Sequence, residues 1–352
     1  MAAAIAARRK GFRVALADGL RPPIDKACGE GLMPDGIAAL RNLGVGLEAA
    51  DAHAFRGIRF VGAGVSAEAG FPAGPALGMR RTALHAMLVE EAAAAGVRLL
   101  WGAPVSGICG ESVRSAGQTI SARWIIGADG FSSRVRRWAG CDARPLESRR
   151  YGFRIHYRAA PWTGCMELHW GAGCQIYATP IGPQEVCLAV LSRNPHLRLA
   201  SALAQFPRLA ARLAGAPHAT VERGAVTANR SLRRVYRGRI ALVGDASGSV
   251  DAITGEGLCL AFQQAAALAD SLAGGSLQPY QAAHRRLARR PLLMSKLLLA
   301  MDRRTWLRER VLRAMASDPG IFRGMLSMHV GGLQPLGFAA NGCALAWQMW
   351  NV

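Results

Sequence analysis

Residues 239–272 read RIALVGDASGSVDAITGEGLCLAFQQAAALADSL, and the order of residue types there decides what kind of chain this is. The apolar, β-branched run 240–243 ends on Gly244-Asp245 and passes through a loop of small residues. It re-emerges at Gly255-Glu256-Gly257 into a long apolar-periodic helix. A strand, an acidic turn and a glycine-lined helix start together frame a ligand site. Asp245 at the strand end can accept hydrogen bonds from two hydroxyls. The N–H groups of Gly255 and Gly257 open a helix whose dipole favours negative charge. Glycine also lets a ligand approach the backbone closely. The ligand implied carries hydroxyls together with phosphate or carbonyl oxygens. The plain alternative is a strand–loop–helix connection of any α/β protein, with Asp245 an N-cap and the glycines turns.

Working outward, two more strands end on acid. The run 122–128 delivers Gly127-Ala-Asp129-Gly130-Phe-Ser132-Ser133, followed by Arg136. Near the start, the alanine-rich stretch 2–10 is helical by propensity, Gly11 stops it, and 12–17 reads as a buried strand ending in Asp18. An acid at the end of a second strand, after a helix, is where dinucleotide-binding folds hold a ribose hydroxyl pair.

These motifs resemble those of FAD-dependent oxidoreductases of the hydroxylase-like flavoprotein group. Residues 244–257 are similar to its GD motif, whose Asp binds the ribitol chain of FAD, and 127–136 to its DG motif, G-A-D-G-x-x-S-x-V-R. Within the group, GDASG…TGEGL looks most like the geranylgeranyl reductase branch, whose relatives include polyketide-modifying monooxygenases and flavin halogenases. Lys26-Ala-Cys28-Gly29-Glu30-Gly31-Leu32 is similar to the K-x-C-G-x-G-L loop that runs near the flavin ring. Arg81-Thr-Ala-Leu84-His85-Ala-Met-Leu88 resembles R-x-x-L-D-x-x-L, whose arginine contacts FAD phosphate or the flavin side; His85 stands where the acid is usual. Val105 matches a position that offers its backbone to adenine. Asp129 is expected to hold ribose or orient its loop, with Ser132 capping the helix that begins near Ser133.

The resemblance therefore implies a cofactor site of Asp18, Lys26, Cys28, Gly29, Arg81, Val105, Asp129, Gly130, Gly244, Asp245, Gly255, Glu256 and Gly257. Cys28 and Glu30 are the catalytic candidates. Cys28 is either a thiol activated by nearby Lys26 or a small residue filling a tight loop. The family's first strand and G-x-G-x-x-G loop have no counterpart, because the sequence opens inside what should be the first helix, so the start is expected to be internal to a longer reading frame.

At 352 residues with 51% hydrophobic and 19% charged residues, the chain can bury a full core. Its net charge of +20 is almost all arginine, Lys10, Lys26 and Lys296 being the only lysines. The arginines are spread along the chain without a basic tail or an aromatic stripe, which argues against nucleic acid as partner. Eight cysteines form no C-x-x-C pair and have no zinc spacing, so reduced thiols, no metal and a cytoplasmic location are expected. Residues 330–352 carry no charge but are interrupted by Gly, Pro335, Gln and Asn. They read as a surface-associated or substrate-covering tail, giving possible peripheral membrane contact rather than a span.

The architecture expected is mixed α/β. A Rossmann-like FAD-binding domain comprises 1–53, 77–148 and 238–282. An antiparallel substrate domain comprises 54–76 and 149–237, built from runs at 151–158, 166–170, 175–180 and 185–191. C-terminal helices occupy 283–352. Tyr157, Trp162, Trp170 and Tyr177 could wall a substrate site. A helix is expected at 197–213 and two more at 278–290 and 291–315, with Asp35 capping another that ends at Leu43.

There is no nucleophile elbow, no H-E-x-x-H and no Walker loop, as suits an enzyme whose cofactor carries the chemistry. The leading expectation is an FAD-dependent monooxygenase acting on a hydrophobic polyketide- or isoprenoid-like molecule, with NAD(P)H as transient reductant. The alternative is a prenyl double-bond reductase. No W-x-W-x-I-P segment of a halogenase is present. A third reading is a non-catalytic relative that binds no flavin.

Overall fold

Two parallel strand pairs carry the acidic ends. In the computed structural model, which describes residues 1–47, 51–141, 149–331 and 335–351, Ala15–Asp18 pairs with Arg98–Trp101. Ile125–Gly127 pairs with Ile240–Leu242, and Val243 N–H extends that ladder to the Gly127 carbonyl at 2.9 Å. The strands that lead to Asp129 and Asp245 are thus neighbours in register. Helices Ala2–Arg9, Arg81–Ala94 and Gly257–Ala273 share one core through Ile5, Leu84, Leu88 and Phe262. Gly11, at φ +84°, takes the left-handed turn that ends the first of them.

The second body is a seven-stranded sheet. Arg150–Tyr157, Cys165–Trp170, Cys174–Gly182 and Glu185–Ser192 are its centre, Arg223–Thr227 forms one edge, and Gly57–Val61 with Ser66–Gly70 the other. All pairings are antiparallel except that of Gly57–Val61 with Cys165–Trp170. Both faces are covered, which is why the central strands are apolar almost throughout. Ile155, Ile176 and Leu188 pack on the short helices Leu199–Leu203 and Pro207–Arg212. On the opposite face Phe60, Leu168 and Trp170 meet Leu298, Val311 and Phe322 of the C-terminal helices.

Several expected boundaries move. The helix expected at 197–213 breaks into two because Pro207 biases Phe206 out of helical backbone, to φ −128° and ψ 67°. The break expected at Pro291 does not occur: Gln278–Arg303 runs through it and ends at Arg304 instead. Proline there removes one backbone bond and crowds the Leu287 carbonyl, but burial of Tyr280, Met294, Leu298 and Met301 on either side outweighs the loss. Asp35 lies inside the first turn of Pro34–Asn42 rather than at its cap, which is Met33. The uncharged tail forms the helix Pro335–Asn351, which packs on Thr305–Ser317 and Pro319–His329. Residues 332–334 of that tail, and 142–148 at the end of one expected FAD-binding segment, lie outside the described residues. No described helix is long and apolar enough to cross a membrane.

Candidate functional site

The two acidic strand ends have different surroundings. Asp129 turns back on its own loop, where Ser133 Oγ donates to it at 2.5 Å and the N–H groups of Arg134 and Val135 donate at 2.7 and 3.1 Å. Ser133, not Ser132, is the cap of the following helix, accepting from Arg136 N–H at 2.9 Å. This corrects the expected cap, and of the two roles open to Asp129 the contacts made are those of orienting the loop.

Asp245 sits in the single turn Gly244–Ala246, exposed. Among the described residues, no hydrogen bond engages its carboxylate. Surrounding protein pushes its pKa up, and the positive charges of Lys26 and Arg230 oppose that shift. Arg136 ties the two loops together: its guanidinium donates to the carbonyls of Ala246 at 3.1 Å and Phe131 at 3.0 Å. Gly244 is fixed from below, its N–H donating to Gln264 Oε1 at 2.8 Å.

The helix tip departs from expectation in one atom. Gly255, at φ +70°, donates its N–H to the Ala252 carbonyl at 3.1 Å, and Glu256 N–H donates to Thr254 Oγ1 at 3.3 Å. Of the two glycines, only Gly257, first residue of Gly257–Ala273, keeps an N–H without an intrahelical acceptor. Glu256 is buried rather than turned to the open face.

The loop 244–257 is held from the sheet side. Asp251 and Arg150, both fully buried, pair at 2.9 Å, and Gln175 bonds both Arg150 and Asp302. Tyr177 hydroxyl donates to the Ile253 carbonyl at 2.7 Å. A buried pair of this kind fixes geometry more than it adds stability.

The Cys28 loop approaches the same tip through Met33, whose Cε stands 3.7 Å from where a Gly255 side chain would begin. Glu30 adopts φ +59°, a strained conformation for a non-glycine residue. Its Oε1 accepts from Arg81 N–H at 2.9 Å and its Oε2 pairs with His156 Nε2 at 2.6 Å, with Arg154 Nε 3.8 Å away. Cys187 joins this group within 4.8 Å, a spacing that could suit a metal, but Glu30 and His156 already engage each other beside the Arg154 cation. Cys28 is half-buried and receives the Glu30 N–H at 3.4 Å. Burial and the Glu30 charge push its thiol up, against an activated thiolate.

Asp18 is half-buried at the end of its strand, its Oδ1 accepting from Leu20 N–H at 2.9 Å. Its carbonyl accepts from Ala103 N–H at 2.9 Å, which places Val105, first residue of Val105–Cys109, next to that strand. Asp18, Arg81 and Lys26 are all near enough for their charges to act on His85.

These residues fit a flavin nucleotide. Arg81 has a buried Nη1 with no partner, and the positions a side chain would take at Gly29, Gly130 and Gly257 meet nothing within 4 Å. A free carboxylate for hydroxyls, an unsatisfied guanidinium for phosphate and backbone cradles are the donor and acceptor set such a ligand needs.

Beside this open face lies an apolar cavity. Ile58, Met166 and Tyr177 of the sheet, Thr254 of the loop, and Met325 and His329 of the helix Pro319–His329 are among its walls. Of the four aromatics expected to wall a substrate site, only Tyr177 does so. Tyr157 and Trp162 pack on the opposite face of the sheet, and Trp170 is core.

Paired acidic strand ends, a glycine helix tip and an adjoining apolar cavity define a nucleotide-cofactor oxidoreductase. Residues 1–180 match the FAD binding domain family, and the chain belongs to it. It is an FAD-dependent oxidoreductase.

Menaquinone reductase of Mycobacterium tuberculosis is 30% identical to this chain, the match covering 73% of this chain and 70% of the relative. Menaquinone reductase of Mycolicibacterium smegmatis is 27% identical, covering 80% and 76%. Among solved structures, a flavoprotein/dehydrogenase from Cytophaga hutchinsonii aligns with a TM-score of 0.81 at 19% identity, over 94% of this chain and 90% of that one. A flavin-dependent brominase aligns at 0.82 and 17%, over 99% and 96%. A 2-methyl-3-hydroxypyridine-5-carboxylic acid oxygenase aligns at 0.71 and 21%, over 86% and 89%. The likeness to these three is one of fold.

Sequence reading missed the residues that link distant segments, Arg150 with Asp251, Gln264 with Gly244, and His329 with Glu256. Their local sequence does not mark these links: Arg150 shares its strand with Arg154 and His156, Gln264 follows Gln263, and His329 ends a helix that also carries Arg323.

Proposed function

We propose that the chain is an FAD-dependent reductase of a hydrophobic, isoprenoid-bearing substrate, with NAD(P)H as its transient reductant. The observation that carries this reading is the meeting of two environments at residues 253–257: Ile253 and Thr254 wall the apolar cavity, while Gly255 and Gly257 are exposed at the start of the helix that packs on the Asp245 turn. The relatives named menaquinone reductase support a prenylated quinone as substrate class. Bound there, FAD would supply two-electron redox chemistry.

The chain's own residues do the rest. Asp245 would accept ribitol hydroxyls, Arg81 and Lys26 would balance phosphate charge, and Asp18 with the Val105 backbone would hold the adenosine end. Asp129 and Gly130 shape the loop beside them. The free Gly257 N–H and the positive end of its helix would stabilise negative charge on the ring edge. Glu30, clamped by His156 and the Arg81 amide, holds the Cys28–Gly29 turn against the site rather than acting on substrate. The cavity keeps water from the reacting carbon.

Flavin-loaded protein given NADPH and a short-chain menaquinone without oxygen tests this directly. A product with a saturated prenyl double bond, detected by mass spectrometry after re-exposure to air, is expected. The second reading, a monooxygenase of a hydrophobic molecule, is favoured by the fold likeness to the oxygenase. It requires oxygen consumption matched to an oxygen atom in the product. Protein that takes up no flavin would overturn both.

A substrate of this class resides in a bilayer. Trp306, Trp347 and Trp350, at 60%, 70% and 83% exposure, stand on the C-terminal helices, with exposed Arg303 and Arg304 beside the first of them. Interfacial tryptophan and arginine suit an anionic membrane surface. Co-sedimentation with vesicles containing anionic lipid is expected, falling several-fold when the three tryptophans are replaced by serine.

A further inference from the structure

The carboxylate of Glu256 is 2% exposed, and among the described residues neither of its oxygens accepts a hydrogen bond. Its nearest basic side chains are His329, with Nδ1 at 3.4 Å, and Arg290, with Nη2 at 3.7 Å. Arg290 spends that nitrogen on Asp35 Oδ2 at 2.9 Å. His329 is 6% exposed, closes the helix Pro319–His329, and its Nδ1 likewise has no hydrogen-bond partner among the described residues. Two buried, unsatisfied polar groups side by side are costly to maintain unless something bonds them.

His329 is also a wall of the apolar cavity. The other polar groups of that wall are occupied. Tyr177 hydroxyl donates to the Ile253 carbonyl at 2.7 Å, and Thr254 Oγ1 donates to the Asp251 carbonyl at 3.2 Å while accepting from Glu256 N–H. With Nδ1 directed at Glu256, Nε2 is the imidazole atom left for a ligand.

We propose that His329, oriented by Glu256, is the oxygen-binding pole of the substrate cavity: its Nε2–H donates to a carbonyl or hydroxyl oxygen of an otherwise apolar substrate. This rests on the function proposed above and narrows the substrate class to isoprenoids that carry a ring oxygen, as a quinone does. A protonated Glu256 carboxyl that donates to Nδ1 fixes the tautomer with its hydrogen on Nε2 and holds the ring orientation. Burial raises the pKa of Glu256, while the charges of His329 and Arg290 act the other way and Asp35 adds to the rise. The rise favours the protonated carboxyl that this tautomer needs. Glu256 is a positioning residue in this arrangement.

The test is binding without turnover, on flavin-loaded protein and in the absence of reductant. Two probes are titrated against tryptophan fluorescence: a short-chain menaquinone and a polyprenyl hydrocarbon of equal chain length with no oxygen. His329→Phe is expected to weaken the quinone roughly tenfold, the worth of one buried hydrogen bond, and to leave the hydrocarbon unchanged. His329→Gln, which retains an N–H donor, is expected to recover part of the loss. Glu256→Leu, which cannot bond Nδ1, is expected to weaken the quinone selectively, whereas Glu256→Gln, whose amide can still donate to Nδ1, is expected to keep most of the binding.

Equal weakening of both probes, or no weakening of the quinone by His329→Phe and Glu256→Leu, overturns the proposal. Selective quinone binding by a protein that fails to reduce the quinone would sink the reductase reading and leave the pole standing. Reduction that proceeds with no selectivity at His329 would do the reverse.

Discussion

Asp129 and Asp245 end adjacent parallel strands, yet their carboxylates do different work. The first is used up by the N–H groups of its own helix start and by Ser133. The second is held on the turn Gly244–Ala246, with no donor to its carboxylate among the described residues. Two sites with the same strand–acid–loop pattern thus separate into a loop whose carboxylate is bonded within the protein and one whose carboxylate is left open. Position in the sheet makes an acid available; only its local donors decide whether it remains so.

The largest effect that could break this contrast is at Asp245. Asp245→Ala removes the carboxylate expected to accept two flavin hydroxyls, and FAD affinity should fall roughly hundredfold, since bonds to a charged group contribute about 1.5–3 kcal/mol each. Fluorescence titration of apoprotein with FAD measures it. Retained affinity would show that the open carboxylate faces nothing.

Asp129→Ala should act mainly on the fold. It strips the acceptor from two backbone N–H groups and a cap hydroxyl, so unfolding free energy should fall by about 1–3 kcal/mol in a denaturant titration. FAD affinity should fall less than for Asp245→Ala. Loss of flavin with unchanged stability would mean that Asp129 grips the cofactor after all and that the two strand ends are equivalent.

The contrast also marks what the sequence could and could not disclose. The strand ends, the glycine helix tip and the antiparallel sheet are written in local patterns, the period of apolar residues and the positions of Gly and Asp. The cap at Ser133 instead of Ser132 is a one-residue choice between identical side chains, settled by which hydroxyl reaches both Asp129 and the Arg136 N–H. The helix through Pro291 depends on burial that local propensity does not register. Arg150 with Asp251 and Glu256 with His329 are contacts between residues 101 and 73 positions apart, set by how the sheet, loop and terminal helices pack. No spacing in the chain announces them.

The smallest expected effect sharpens the comparison most. Surrounding protein raises the pKa of Asp245, so its folded pKa lies above its unfolded value. The folded apoprotein therefore binds that proton more tightly than the unfolded chain does. As pH rises from the unfolded toward the folded pKa, ionisation favours the unfolded chain, and above both values the cost is complete. Asp245→Asn carries no such charge. Apo Asp245→Asn should melt slightly higher than the wild-type apoprotein at neutral pH, and the advantage should vanish as pH falls below the ordinary carboxylate range. Because the carboxylate is open to water on one side, the gain should be small. A ligand-facing acid that destabilises the empty protein is the signature of a residue kept for function; an Asp129→Asn variant, which gives up charge-assisted bonds to backbone N–H groups, should instead lose stability at neutral pH.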